Sequence, residues 1–98
     1  MTGAKGMTLP DELDIRAAPP LAAALLAARG ADLALDASQV ERVGGQCIQV
    51  LLSAAATWSA DGRALSVEHP SAAFIDAVRI AGLDLSRFTA PRFPARKS

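Results

Sequence analysis

The 98-residue sequence predicts an α/β fold built on a mostly parallel sheet. Two observations carry that expectation. Short apolar stretches that alternate with period two are interleaved with longer stretches of helical period. The resulting order is strand, helix, strand, helix, strand, helix, and a strand returning parallel to its predecessor needs such a crossover. The length fits one domain, residues 1–98, with a body from about 7 to 88 and a tail over 89–98. Hydrophobic residues make up 51 %, enough for a core, but many are alanine, so Leu, Ile, Val, Phe and the single Trp must fill most of its volume.

The first segment, "GMTLPDELDI", reads as an extended stretch entering a turn at Pro10 and Asp11, with Leu13 and Ile15 alternating as on an edge strand. A helix is expected in "AAPPLAAALLAARG". Pro19 and Pro20 suit its first turn, Leu21, Leu25 and Ala28 share a stripe with Ala22 and Leu26 beside it, and Arg29-Gly30 closes it. "ADLALDA" places Leu33 and Leu35 on one face of a buried strand. Asp36, Ser38 and Gln39 leave that strand as a loop, which Val40 and Val43 pin to the body.

The next helix is expected from about Gln46 to Ala60, straight after Gly44-Gly45. Ile48, Leu51, Leu52 and Ala55 form one apolar stripe, and Cys47, Val50, Ala54 and Trp58 form a second. Only Gln46, Gln49, Ser53 and the Ala56-Thr57 flank are left for water, so this helix is central, and Asp61-Gly62 ends it. "RALSVEHP" gives a third strand with Leu65 and Val67 on one face, stopped by Pro70. Ser71 caps "AAFIDAVRIAG", with Phe74, Ile75 and Val78 inward and Gly82 at the end. "LDLSRF" adds a last turn or short strand.

The net charge of zero conceals an asymmetry: residues 1–86 carry six Lys/Arg against ten Asp/Glu, whereas the last twelve carry Arg87, Arg92, Arg96 and Lys97 and no acid. An acidic body does not suit a nucleic-acid module, which needs a basic face for phosphates. No stretch is long and apolar enough to span a bilayer, and no hydrophobic block follows Lys5, so no signal peptide is expected. One cysteine allows neither an internal disulfide nor a Cys-based metal cluster, and a cytoplasmic location is expected.

Catalytic constellations are nearly absent. His69 is the only histidine and lies at the end of a strand, the usual place of a surface histidine rather than of an acid–base catalyst with organised partners. Cys47 lies near a helix N-terminus, which can activate a thiol, yet it occupies an apolar stripe and reads as a core residue. "GGQ" lacks the framing glycines and lysine of a phosphate-cradling loop. Its bare amides could hold an anion, or the glycines could serve a close backbone approach or a left-handed turn. No catalytic residue, cofactor or metal site is expected, and the chain reads as a non-enzyme.

"DELDIRAAPPLAAALLAARG" resembles the segment "GELD…A…L…L" that opens STAS domains, and "LALDASQVERVGGQCIQVLL" resembles their central signature, in which an "LD(L/A)S" turn leads to "DSSGL" at a helix start. The resemblance covers about Leu9 to Leu85. It implies a mixed, mostly parallel sheet of four to five strands with helices mainly on one face. It also implies an anti-sigma-factor-antagonist-like role in signal transduction, in which the domain binds a kinase of the histidine-kinase-like ATPase fold. In such domains phosphorylation of the first serine of "DSSG" ends the complex by adding charge at the helix N-terminus.

Laid on that motif, Gly44 falls at the aspartate, Gly45 at the acceptor serine, Gln46 at the second serine, Cys47 at the glycine and Ile48 at the leucine. The acceptor hydroxyl and the neighbouring acid are both missing, so no phosphorylation is expected at Gly45. Ser38 is the nearest hydroxyl, either a displaced phosphosite or a turn-stabilising residue. The variant is similar to bacterial stand-alone STAS proteins of chemotaxis systems and to the cytoplasmic accessory subunit of a lipid-transport ABC system, which binds its ATPase. Both are adaptors. The expected partner surface is Ala37, Ser38, Gln39, Gly44, Gly45, Gln46, Gln49 and Ser53, and a homodimer or an edge strand completed by another chain is also consistent with the sequence.

Overall fold

The computed structural model describes residues 5–90. The elements in chain order are β1 (Lys5–Thr8), β2 (Glu12–Leu13), α1 (Ala18–Ala27), β3 (Leu33–Asp36), β4 (Arg42–Val43), α2 (Gly45–Asp61), β5 (Leu65–Glu68), α3 (Ala72–Ile80) and a 3-10 turn (Leu85–Phe88). β3 runs between β1 and β5, and both pairings are parallel. β2 and β4 form a separate two-stranded parallel ladder. The mostly parallel α/β architecture is therefore as the sequence predicts, but the strands divide three and two instead of joining in one sheet of four or five. β2 stops at Leu13 because the Asp14 carboxylate accepts the backbone N–H groups of Arg16 and Ala17 and folds the chain into a turn. Ile15, expected on an edge strand, is thereby left 68 % exposed.

The register gives the main sheet two unlike faces. Leu33 lies beside Leu65, and Met7, Leu35 and Val67 form the next row; Gly6, Ala34 and Ser66, then Thr8, Asp36 and Glu68, form the other face. All three helices contribute to the same buried cluster as Leu33, Leu35 and Leu65, so they cover the apolar face. None of the six residues on the opposite face is fully buried. This one-sided packing agrees with the expected arrangement.

α2 is the central helix. Cys47, Ile48, Leu51, Ala54, Ala55 and Trp58 are all buried. The Trp58 indole N–H donates to the Ala31 carbonyl at 2.8 Å, which ties α2 to the loop before β3. Gly62 caps the helix in the left-handed region (φ 68°), which a residue without Cβ enters at no steric cost. α3 starts as expected: the Ser71 side chain accepts the Phe74 N–H, and Phe74 meets Phe88 edge-on with ring centroids 6.1 Å apart. Ile75, expected inward, is only partly covered, because Phe74 and Val78 take the inner face. Ala90 makes an antiparallel bridge with Leu65, so the chain stays with the body through the first residues of the expected tail. Arg92, Arg96 and Lys97 lie outside the described residues.

Arg29, just past the end of α1, is paired with Asp61 through two hydrogen bonds of 2.8 and 3.1 Å, joining the C-terminal ends of α1 and α2. The Arg29 guanidinium holds the Asp61 carboxyl below its usual range, and the Asp61 carboxylate holds Arg29 above its own. A carboxylate with a depressed folded pKa contributes stability above its unfolded value, about 3.9, and that contribution is lost as pH falls through the folded pKa. Arg29→Met is thus expected to lower the melting temperature slightly at pH 7 and to have no effect near pH 2, as read by thermal denaturation across pH; salt should shrink the neutral-pH effect. Trp58→Ala is expected to cost about 3–5 kcal/mol in denaturant unfolding, because it opens a cavity and strands the Ala31 carbonyl.

Candidate docking site at the start of α2

The site begins where β3 ends. Asp36 Oδ1 accepts the Ser38 N–H at 2.9 Å, closing a tight turn that leaves Ser38 and Gln39 exposed. Hydrogen bonding from Ser38, with a smaller contribution from the charge of His69, holds the Asp36 carboxyl below its ordinary range. Ala37 continues the inward alternation of Leu33 and Leu35 and is fully buried. Its carbonyl accepts the N–H groups of Val40 and Ser71, so Ala37 anchors the loop from below and offers no side chain to a partner, unlike the surface position expected for it. Val40 is buried and Val43 half-buried, the pinning role expected of both.

Three further contacts hold the end of this loop. The Asp11 carbonyl accepts from Glu41 (2.6 Å) and Arg42 (3.1 Å), and the Leu13 carbonyl accepts from Gly44 (2.8 Å). The Ser71 hydroxyl donates to the Val40 carbonyl at 2.6 Å while accepting from Phe74, so one side chain both caps α3 and fixes the loop. α2 then opens at Gly45 with Gly44 as its N-cap, and no side chain caps it.

Neither glycine is there for backbone reasons. Gly44 has φ −100° and ψ 166°, extended geometry open to any residue. A Cβ on Gly44 would make only ordinary contact, 3.5 Å from the Leu13 carbonyl oxygen, and one on Gly45 would meet nothing within 4 Å. The left-handed-turn reading of the pair is thus removed, and so is the need for close packing inside the chain. What glycine does here is leave the helix tip bare. The strands and loop holding the tip carry Asp11, Glu12, Asp36 and Glu41 against Arg42, surroundings that oppose capture of a free anion.

Gly45, Gln46, Gln49 and Ser53 are exposed, and Gly44 is partly so. Gln46, Gln49 and Ser53 form one wall of a groove of about 300 Å³. Its opposite wall is α1, through Ala22, Leu25 and Leu26, and Val50, Ala54 and Trp58 lie along it. The α1 wall was not among the expected contact residues. Cys47 is buried, as its place in an apolar stripe predicts; its thiol lies 3.3 Å from the Asp14 carbonyl, and burial, followed by the Asp14 charge, pushes its pKa up. His69 is exposed and sits at φ 51° in the turn after β5. Among the described residues no group of three or more potential metal ligands occurs.

The family model described as Mlab, STAS domain matches residues 2–87. The chain belongs to the STAS family. No curated protein and no solved structure matches it. Family membership supports an anti-sigma-factor-antagonist-like or signalling role of the general kind STAS domains perform, commonly through contacts with other proteins. Among the described residues no helix is long and apolar enough to cross a membrane.

Ser71→Ala removes the α3 cap and leaves the Val40 carbonyl without its donor. It is expected to cost about 1–2 kcal/mol by denaturant unfolding and to speed amide exchange in the 37–44 loop.

Proposed function

We propose that this STAS domain is a non-catalytic adaptor that docks a kinase- or ATPase-type signalling protein on the tip of α2 and the Ser38–Gln39 turn. The carrying observation is the bare helix start: Gly44 and Gly45 are required by neither dihedral angle nor internal packing, and no side chain caps the helix. A partner's backbone can approach the exposed amides of such a tip without side-chain obstruction. Gly45 occupies the place of the acceptor serine in the family motif, so docking here would run without the usual phosphate switch, in a chemotaxis or sigma-factor circuit. Ser38 is exposed, but its turn is closed on the Asp36 carboxylate, and a phosphate beside that charge would be repelled.

A second reading places the chain as the cytoplasmic accessory subunit of a lipid-transport ABC system, with the ABC ATPase as partner. The Mlab description of the matching family favours it. Both readings use the same surface and involve no chemistry by Cys47 or His69.

Gly45→Glu tests the surface directly. Space at Gly45 is open, and the favourable contact of a first-turn acid with the helix dipole is offset by the acids around the tip, so thermal stability should be unchanged within error. Affinity for a kinase or ATPase that binds the wild-type chain should fall at least about tenfold in calorimetric titration. Unchanged affinity, with the wild-type chain binding normally, would remove the tip from the interface.

A further inference from the structure

Among the described residues three large apolar side chains are exposed: Ile15 at 68 %, Leu26 at 67 % and Ile80 at 86 %. Exposure alone decides nothing, because single apolar side chains are common on protein surfaces. Position separates the three. The helices run back against the parallel strands, so all three start at the end of the molecule where β1, β3 and β5 finish. Leu26 and Ile80 lie in the last turns of α1 and α3, at the far end. Ile15 precedes α1, at the end where α2 begins.

The backbone before Ile15 is built against that helix start. The Leu13 carbonyl accepts the Gly44 N–H at 2.8 Å, the Cys47 thiol lies 3.3 Å from the Asp14 carbonyl oxygen, and a Cβ on Gly44 would stand 4.0 Å from the Asp14 Cα. The turn around Ile15 is bonded on both sides. Asp14 Oδ1 accepts the N–H groups of Arg16 (3.0 Å) and Ala17 (3.1 Å), the Arg16 guanidinium closes on Asp14 Oδ2 at 2.9 Å, and the Ile15 carbonyl accepts from Ala18 at 3.4 Å. A hydrogen-bonded turn thus holds Ile15 out to solvent beside the bare tip. A backbone already bonded in place has less freedom to lose when a partner covers it.

The charges around this side chain are mostly of one sign. Asp14 and Arg16 satisfy each other, which leaves Asp11, Glu12, Asp36, Glu41 and Glu68 against Arg42 at this end of the molecule. Such a frame repels an acidic surface and attracts a basic one.

We propose that Ile15 is the apolar anchor of the docking surface, and that the partner receives it in an apolar socket rimmed by cationic side chains. The proposal rests on the adaptor reading and adds to it a residue and a chemistry. Bare amides at a helix start offer hydrogen bonds that many proteins could accept. An anchored isoleucine inside an acidic frame selects among them, because socket and rim must both match, and the rim keeps water from the anchor.

The test is a calorimetric titration of the full chain with a kinase or ATPase that binds the wild type. Ile15→Ser should lower the affinity about tenfold to a hundredfold, the worth of burying one such side chain. Its melting temperature should not change, because residue 15 is exposed in the single chain. Ile80→Ser removes an exposed side chain at the opposite end and should leave the affinity as it was. Glu41→Lys should weaken binding, and added salt should weaken wild-type binding and shrink that difference. Wild-type affinity in Ile15→Ser, or an equal loss in Ile80→Ser, overturns the anchor; affinity that holds or rises with salt overturns the cationic rim. Gly45→Glu, run alongside, separates this proposal from the reading it rests on. A loss with Gly45→Glu and none with Ile15→Ser overturns the anchor and leaves the tip in the interface, whereas no loss with either removes the tip and the anchor together.

Discussion

The position of α2 depends on one row of carbonyls. Asp11, Leu13 and Asp14 present three in succession, and these receive the N–H groups of Glu41, Arg42 and Gly44 and the thiol of Cys47. The β2–β4 ladder is only two residues long, yet it fixes the height at which the central helix begins. It can do so because the side chains in and around it are buried: Leu9, Leu13 and Val40 are at most 2 % exposed and bury the ladder's side against the core. Each such side chain contributes about 1.5–3 kcal/mol of burial, more than the hydrogen bonds contribute net. Apolar packing therefore holds the segment, and the carbonyls set its register. The exposed tip of α2 inherits that register, which is why a surface with no side chains of its own is still well placed.

Much of this was legible in the sequence, and the misses share a cause. α2 and its end at Asp61-Gly62 follow from seventeen residues of consistent helical period, and the α3 cap follows from Ser71. β2 was legible in part, as an edge strand at Leu13 carried too far to Ile15, and β4 was not, because two residues have no period; only the pairing across them makes them strands. The division into two sheets followed from the same short ladder. Ala37 was legible in part: it continues the inward parity of Leu33 and Leu35 by one step beyond the strand, and its small size between Asp36 and Ser38 disguised it as loop. Leu26 shows the opposite limit. The stripe of Leu21 and Leu25 marked the buried face of α1, but Leu26, set beside it by the same spacing, lies outside, because a helix without polar residues gives nothing to mark where the inner face ends.

The glycine pair illustrates what geometry adds to a motif. In sequence, Gly44-Gly45 fits a left-handed turn, a close approach or a docking tip equally well. The extended dihedrals of Gly44 remove the first, and the open space around Gly45 removes the second as a matter internal to the chain. The remaining reading is one in which side chains are kept away from the helix start. Three other glycines of the chain, Gly30, Gly62 and Gly82, do take positive φ, so the contrast lies within the same molecule.

Gly45 carries no side chain, so the first polar groups along the exposed side of α2 are those of Gln46, Gln49 and Ser53. Gln46 belongs both to the exposed first turn of α2 and to the wall of the groove beside α1, and Gln49 and Ser53 continue that wall. An occupant of the groove would therefore lie against the first turn of α2 as well, because groove wall and helix start share this side chain.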